Sequence, residues 1–151
     1  MAILKRQFSS LSDLTITLES LASAAGRVSA QFTNSDFYPG AIVYVRLKSS
    51  ASAPAVGGSY RVYLVRQATG YNSDGAGTAD AAATIENATL LGVINITNTA
   101  NKFFYGDFDT KFVGDLGVAY SIAIVNGTDQ SLNSTTLQHF VKVQHYRWQS
   151  E

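Results

Sequence analysis

The chain has 151 residues and no cysteine, which allows one domain burying roughly 68–70% of its unfolded surface and rules out disulfides and thiolate sites. Lys and Arg total 11, as do Asp and Glu, so the net charge is zero and no basic run exceeds Lys5-Arg6. A nucleic-acid partner, which demands surplus cations to displace counterions, is not expected. Neither is a membrane span, since no apolar run approaches roughly 20 residues.

The opening segment places only Ile3 and Leu4 before Lys5-Arg6, too few for a secretory leader; synthesis in the cytoplasm is the expectation. Residues 1–12 carry no period-two pattern and read as an N-terminal arm, with Ile3, Leu4 and Phe8 as candidate contacts to a neighbour. From Leu14 onward, apolar residues alternate with polar or small ones, the signature of strands offering one face to a core. Leu14, Ile16 and Leu18 form the first such set, followed by a short helical turn over 20–25. Val28–Phe32 is a weaker strand. Ile42–Lys48, Tyr60–Val65 and Val93–Thr97 are strong ones, Lys102–Phe108 is weaker, and Val118–Ile124 and Phe140–Tyr146 are again clear.

Turn chemistry separates them at Pro39-Gly40, Gly57-Gly58, Asp74-Gly75, Gly114-Asp115 and Asn126-Gly127. The stretches 48–59 and 70–83 read as loops. The expectation is an all-β single domain, a jelly roll or β-sandwich of about eight antiparallel strands over residues 13–146, with arms at 1–12 and 147–151.

No catalytic set emerges. His139 and His145 would share a strand face roughly 20 Å apart, too far to hold one metal together. Gly-x-Ser-x-Gly is absent. Asp107 and Asp109 share a strand face, but near a segment end where solvated charge is the default reading. The loop Gly70–Gly75 has Asn72 and Asp74 at calcium-loop spacing, yet Gly70 and Ala81 stand where the strongest ligands belong. Gly75-Ala76-Gly77 lacks the Lys-Ser/Thr ending of a phosphate cradle. The expectation is therefore no enzyme, no metal and no cofactor. Four Asn-x-Ser/Thr triplets, at Asn87, Asn95, Asn126 and Asn133, are at chance level in so polar a chain.

The aromatics are more informative, with eight Phe, eight Tyr and one Trp. Phe103-Phe104-Tyr105 puts rings on both faces of one strand, and Phe104 joins Arg147 and Trp148 as a candidate interface residue; such types are enriched where proteins meet. On a neutral chain this points to an oligomer.

The block Leu14-Thr15-Ile16-Thr17-Leu18-Glu19-Ser20-Leu21-Ala22-Ser23-Ala24-Ala25-Gly26-Arg27-Val28-Ser29 resembles the opening of a family of small virion proteins of tailed bacteriophages. Leu91–Asn95, Tyr120–Asn126 and the turn-rich 127–136 follow in similar order. The resemblance covers residues 12–135, and its distinctive part is Leu-Ala-Ser-x-x-Gly-Arg. Several proteins of that kind are capsid cement or decoration proteins, commonly jelly rolls seated as trimers on the shell. The resemblance therefore implies a non-enzymatic protein on the capsid exterior, with the major capsid protein and further copies of itself as partners. In Gly26-Arg27, the Arg is either an interface ion partner or one half of a salt bridge within the monomer. The alternative is a tail, neck or fibre-associated β-sandwich that binds a receptor or carbohydrate.

Overall fold

The computed structural model describes residues 4–68, 71–72, 74 and 79–150. Among these residues eleven strands form two antiparallel sheets: β1 (Leu4–Leu14), β2 (Gly26–Val28), β3 (Phe32–Thr33), β4 (Gly40–Lys48), β5 (Ser59–Ala68), β6 (Tyr71–Asn72), β7 (Ala81–Ala82), β8 (Thr89–Asn95), β9 (Phe103–Asp109), β10 (Ala119–Gly127) and β11 (Phe140–Ser150). The first sheet has the order β1-β11-β4-β9. The second runs β6-β5-β10-β2-β7, with β8 also on β5 and β3 also on β10. The expected sandwich is present. Its strand number exceeds eight because several short two- or three-residue strands join the ladders.

Alternation decides the layers. On β4, Ala41, Val43, Val45 and Leu47 are buried while Ile42, Tyr44, Arg46 and Lys48 are half-exposed. The buried set meets Tyr60, Val62 and Leu64 of β5 and Tyr120, Ile122 and Ile124 of β10 in one core cluster. Strand β10 is buried on both faces, because the segment after β7 folds over its outer side. There Val28, Val65 and Ala123 pack against Ala83, Ile85 and Ala88 as a satellite core. Close approach between β8 and β9 depends on missing side chains. A Cβ on Gly92 would lie 2.3 Å from the Phe108 ring, and one on Gly106 2.7 Å from it.

Two sequence expectations need correction. The segment 1–12 is not an arm where described. Leu4–Leu14 is a continuous edge strand paired with β11, and residues 147–150 belong to the same ladder, Arg6 opposite Trp148 and Gln7 opposite Arg147. Both segments do leave the sheet proper: β4 stops pairing β11 at Tyr146 opposite Gly40, so beyond that row β1 and β11 continue as a two-stranded ribbon. The second correction concerns Thr15–Leu18, which forms no ladder. Leu18 is fully buried, but the backbone there bonds singly, as in the Ala30 N–H donated to the Thr15 carbonyl at 2.8 Å. In place of the short helical turn expected over 20–25 stand two tight turns, closed by the Leu21 N–H on Leu18 and the Ala25 N–H on Ala22, with Ser20 and Ala24 at positive φ.

Candidate functional site

The ribbon gathers most of the interface residues expected from sequence. Leu4 is 65% exposed, Trp148 55% and Phe8 45%, and Leu11 and Arg147 are exposed beside them. Ile3 lies outside the described residues. The ribbon is fastened at its base. The Arg6 guanidinium lies 4.2 Å from the Tyr146 ring centre and 5.2 Å from that of Trp148, and it pairs with Asp109 at 3.2 Å. The buried Tyr146 hydroxyl donates to Asp109 at 2.6 Å. Burial pushes the Asp109 carboxyl upward, but the bonds from Tyr146 and the Lys111 amide, with Arg6 and Lys111 nearby, outweigh it and hold the group below its ordinary value. A bulge between Phe8 and Leu11 turns Ser9 toward β11, where its hydroxyl accepts the His145 N–H at 3.0 Å.

Two candidates belong elsewhere. Arg27 is the half-buried partner of Asp80 at 2.6 Å within the monomer, and Asp80 also accepts the amide and hydroxyl of Thr17. Phe104 is a core residue, 6% exposed and set edge-on to Tyr60 at 6.2 Å. Its neighbours Phe103 and Tyr105 take the outer face.

The two histidines have separate surroundings, and His139 lies just before β11 rather than on it. His145 is buried, its ring stacked on Phe32 at 4.5 Å and Tyr38 at 5.1 Å, with Nε2 2.7 Å from the Tyr120 hydroxyl. His139 accepts the Lys48 N–H at Nδ1 and donates from Nε2 to the Asn133 carbonyl, which defines a neutral tautomer. Burial lowers both pKa values. Asn126 and Asn133 are also buried; Asn126 bridges Leu21, Thr128 and Gln130.

The outer face of the β11-β4-β9 layer was not singled out by sequence, although every residue on it occupies the parity opposite the Ala41–Leu47 core set. Arg46 sits directly opposite both Phe140 and Tyr105, and Tyr44 opposite both Lys142 and Asp107. Arg46 lies over Phe140 at 4.5 Å and Phe103 at 5.2 Å while donating to the Leu137 and Gln138 carbonyls. Lys142 covers Phe140 and bonds Asp13. Tyr105 is 66% exposed. Between these rings a cavity of about 210 Å³ opens, lined by Tyr44, Val45, Tyr105, Gly106, Asp107 and Phe140.

A wider hollow of about 480 Å³ lies over the opposite sheet, beside Arg61, Tyr63 and Ala83. A third, of about 280 Å³, lies beside Phe37 and Val118. Phe37 projects there at positive φ, in a loop tied by Asn34 to Tyr38 and Gly117.

Among the described residues no group of three or more His, Asp or Glu side chains converges as a metal site. Of the calcium-like loop, Gly70, Ser73 and Gly75 fall outside the described residues; Asp74 Oδ1 accepts the Glu86 and Asn87 amides. The chain matches no protein-family model, and no curated protein is significantly similar to it.

Proposed function

We propose that this β-sandwich is a non-enzymatic structural protein of a phage particle: a cement or decoration protein on the capsid exterior, contacting the major capsid protein and, as a trimer, copies of itself. The observation that carries a docking role is the terminal ribbon. Leu4, Phe8, Leu11 and Trp148 are exposed together beside the open edge of β1. An open edge offers unpaired amides and carbonyls to another chain. Covering a large apolar side chain contributes about 1.5–3 kcal/mol before ordering costs, and the ribbon is already ordered by its ladder with β11. The non-enzymatic reading is supported by the use of His139, His145, Asp80 and Asp109 in internal bonds. The placement on a phage shell rests on the sequence resemblance in residues 12–135.

The test is the composition of purified particles. The protein should co-purify with the major capsid protein, and a Leu4→Lys/Trp148→Ala variant should stay folded while occupying fewer sites. Unchanged occupancy by that variant would remove the ribbon from the contact, and absence of the parent protein from particles would end the virion reading.

A further inference from the structure

We infer that the cavity on the outer face of β4 and β9 is a binding site for a neutral pyranose sugar, a function separate from docking by the ribbon. The ribbon edge, β1, and the cavity edge, β9, are the two opposite edges of the four-stranded sheet, separated by three strand spacings or about 14 Å. Both can be occupied at once.

Three features define the ligand. The first is a vacant aromatic face. Phe140 and Phe103 are covered by Arg46, Lys142 and Lys48. Tyr105 has no cation over it among the described residues; its ring only adjoins Phe103, at 6.4 Å. An exposed tyrosine face is large, rigid and apolar, and matches the C–H face of a sugar ring.

The second is an acceptor at the right distance. Asp107 is two residues farther along the same face, about 6.7 Å from Tyr105. Its side chain is exposed and forms no ion pair or hydrogen bond among the described residues. A carboxylate accepts only, with two oxygens, so it suits a pair of neighbouring hydroxyl groups and repels an acidic ligand.

The third is the far wall. Tyr44 stands opposite Asp107, and its hydroxyl reaches Gln144 Oε1 at 3.3 Å, which holds the ring along the sheet. A volume of about 210 Å³ suits one sugar ring and falls below the roughly 300–1,000 Å³ of sites for larger ligands. With about twelve non-hydrogen atoms and an open site, the dissociation constant should be millimolar. Presentation on many copies would raise the avidity.

The experiment is a titration of the full chain with methyl glucoside, methyl galactoside, methyl mannoside and N-acetylglucosamine, followed by saturation-transfer and amide-shift NMR. Glucuronate is the acidic comparison. At least one neutral sugar should saturate, shifting the amides of Tyr44, Tyr105 and Asp107. Tyr105→Ala should weaken binding about tenfold or more, Asp107→Asn several-fold, and Tyr105→Phe little. Val56→Ser, on an exposed loop outside the cavity lining, should bind as the parent does.

The inference is overturned if no neutral sugar saturates at near-molar concentration, if glucuronate binds in their place, or if Tyr105→Ala binds undiminished. Particle occupancy separates this result from the ribbon's role. Tyr105→Ala should occupy particles normally; reduced occupancy with no sugar binding by the parent would reassign the face to protein contact.

Discussion

Acidification below neutrality should weaken the fold, and the two histidines set the window. Burial is the largest influence on each and lowers its pKa. For His145, Asp36 pulls the other way. For His139, the Asn133 carbonyl and Glu19 oppose the shift, while Arg46 and Lys48 add to it. A histidine whose folded pKa lies below its unfolded value takes up a proton on unfolding. Its contribution is therefore complete above the unfolded value, about 6.5, and is lost as the pH falls toward and through the folded value. Within that interval one histidine costs about 1.4 kcal/mol per pH unit, and two about twice that. Against a net stability of about 5–15 kcal/mol, such a loss is readily measured.

The opposing effect at His145 can be sized too. The faces of Phe32 and Tyr38 would favour an imidazolium by about 0.5–2 kcal/mol, and the Tyr120 hydroxyl can rotate to accept its proton. Urea unfolding in half-unit steps from about pH 8 to about pH 4.5 decides the balance. Far-UV circular dichroism is the appropriate signal, because the single tryptophan, Trp148, sits on the exposed ribbon. His145→Gln and His139→Gln should each reduce the slope by about half where both sites titrate. Stability that is flat or rises between about pH 7 and pH 5 would refute the argument and give the ring cage the larger weight. Below the usual carboxylate value of 3.8 a second loss should follow, since Asp80 and Asp109 are held down in the fold.

Phe104→Ala should cost about 3–5 kcal/mol in denaturant unfolding, whereas Tyr105→Ala should change stability by about 0.5 kcal/mol or less; equal costs would contradict the assigned faces. Gly92→Ala should cost about 1–3 kcal/mol by driving a methyl group into Phe108, read from the same curves. Asp80→Ala should cost about 1–3 kcal/mol through the orphaned Thr17 amide and Arg27, and hydrogen exchange at Thr17 should accelerate. Removing residues 1–12 should lower the melting temperature, because it strips β11 of its partner from Val143 to Ser150; an unchanged melting temperature would mean that the β1 ladder contributes nothing.

Strands with one face in the core were legible because alternation is local. Ala41 to Leu47 and Tyr60 to Leu64 could be assigned to a buried face without any partner in view. Strand β1 could not. It is an edge whose residues are mostly exposed, so burial imposes no period. The Ser9-Ser10 bulge then shifts parity midway. What holds it is a backbone ladder to residues more than a hundred positions away, and a ladder leaves little mark on side-chain choice. Thr15 to Leu18 shows the converse. Its alternation places Leu18 in the core, but the neighbouring polar groups go to Ala30 and Asp80 rather than to a strand.

The misassignment of Phe104 has the same origin, and it bears on function. In Phe103-Phe104-Tyr105 either parity could face inward. The choice is made across the sandwich, where Tyr60 receives Phe104 and the narrow gap at Gly92 and Gly106 receives Phe108. Once 104 and 108 are drawn in, 103, 105 and 107 must stand outside, and β4 places Tyr44 and Arg46 beside them. The aromatic face therefore follows from how the core is packed, and no motif along the chain announces it. The same packing keeps stability and contact on different residues. Phe104 and His145 face inward and Tyr146 is buried on the outer side beneath Arg6 and Phe8, so their loss should destabilise the sandwich, while Leu4, Trp148 and Tyr105 are exposed and should release only what they bind.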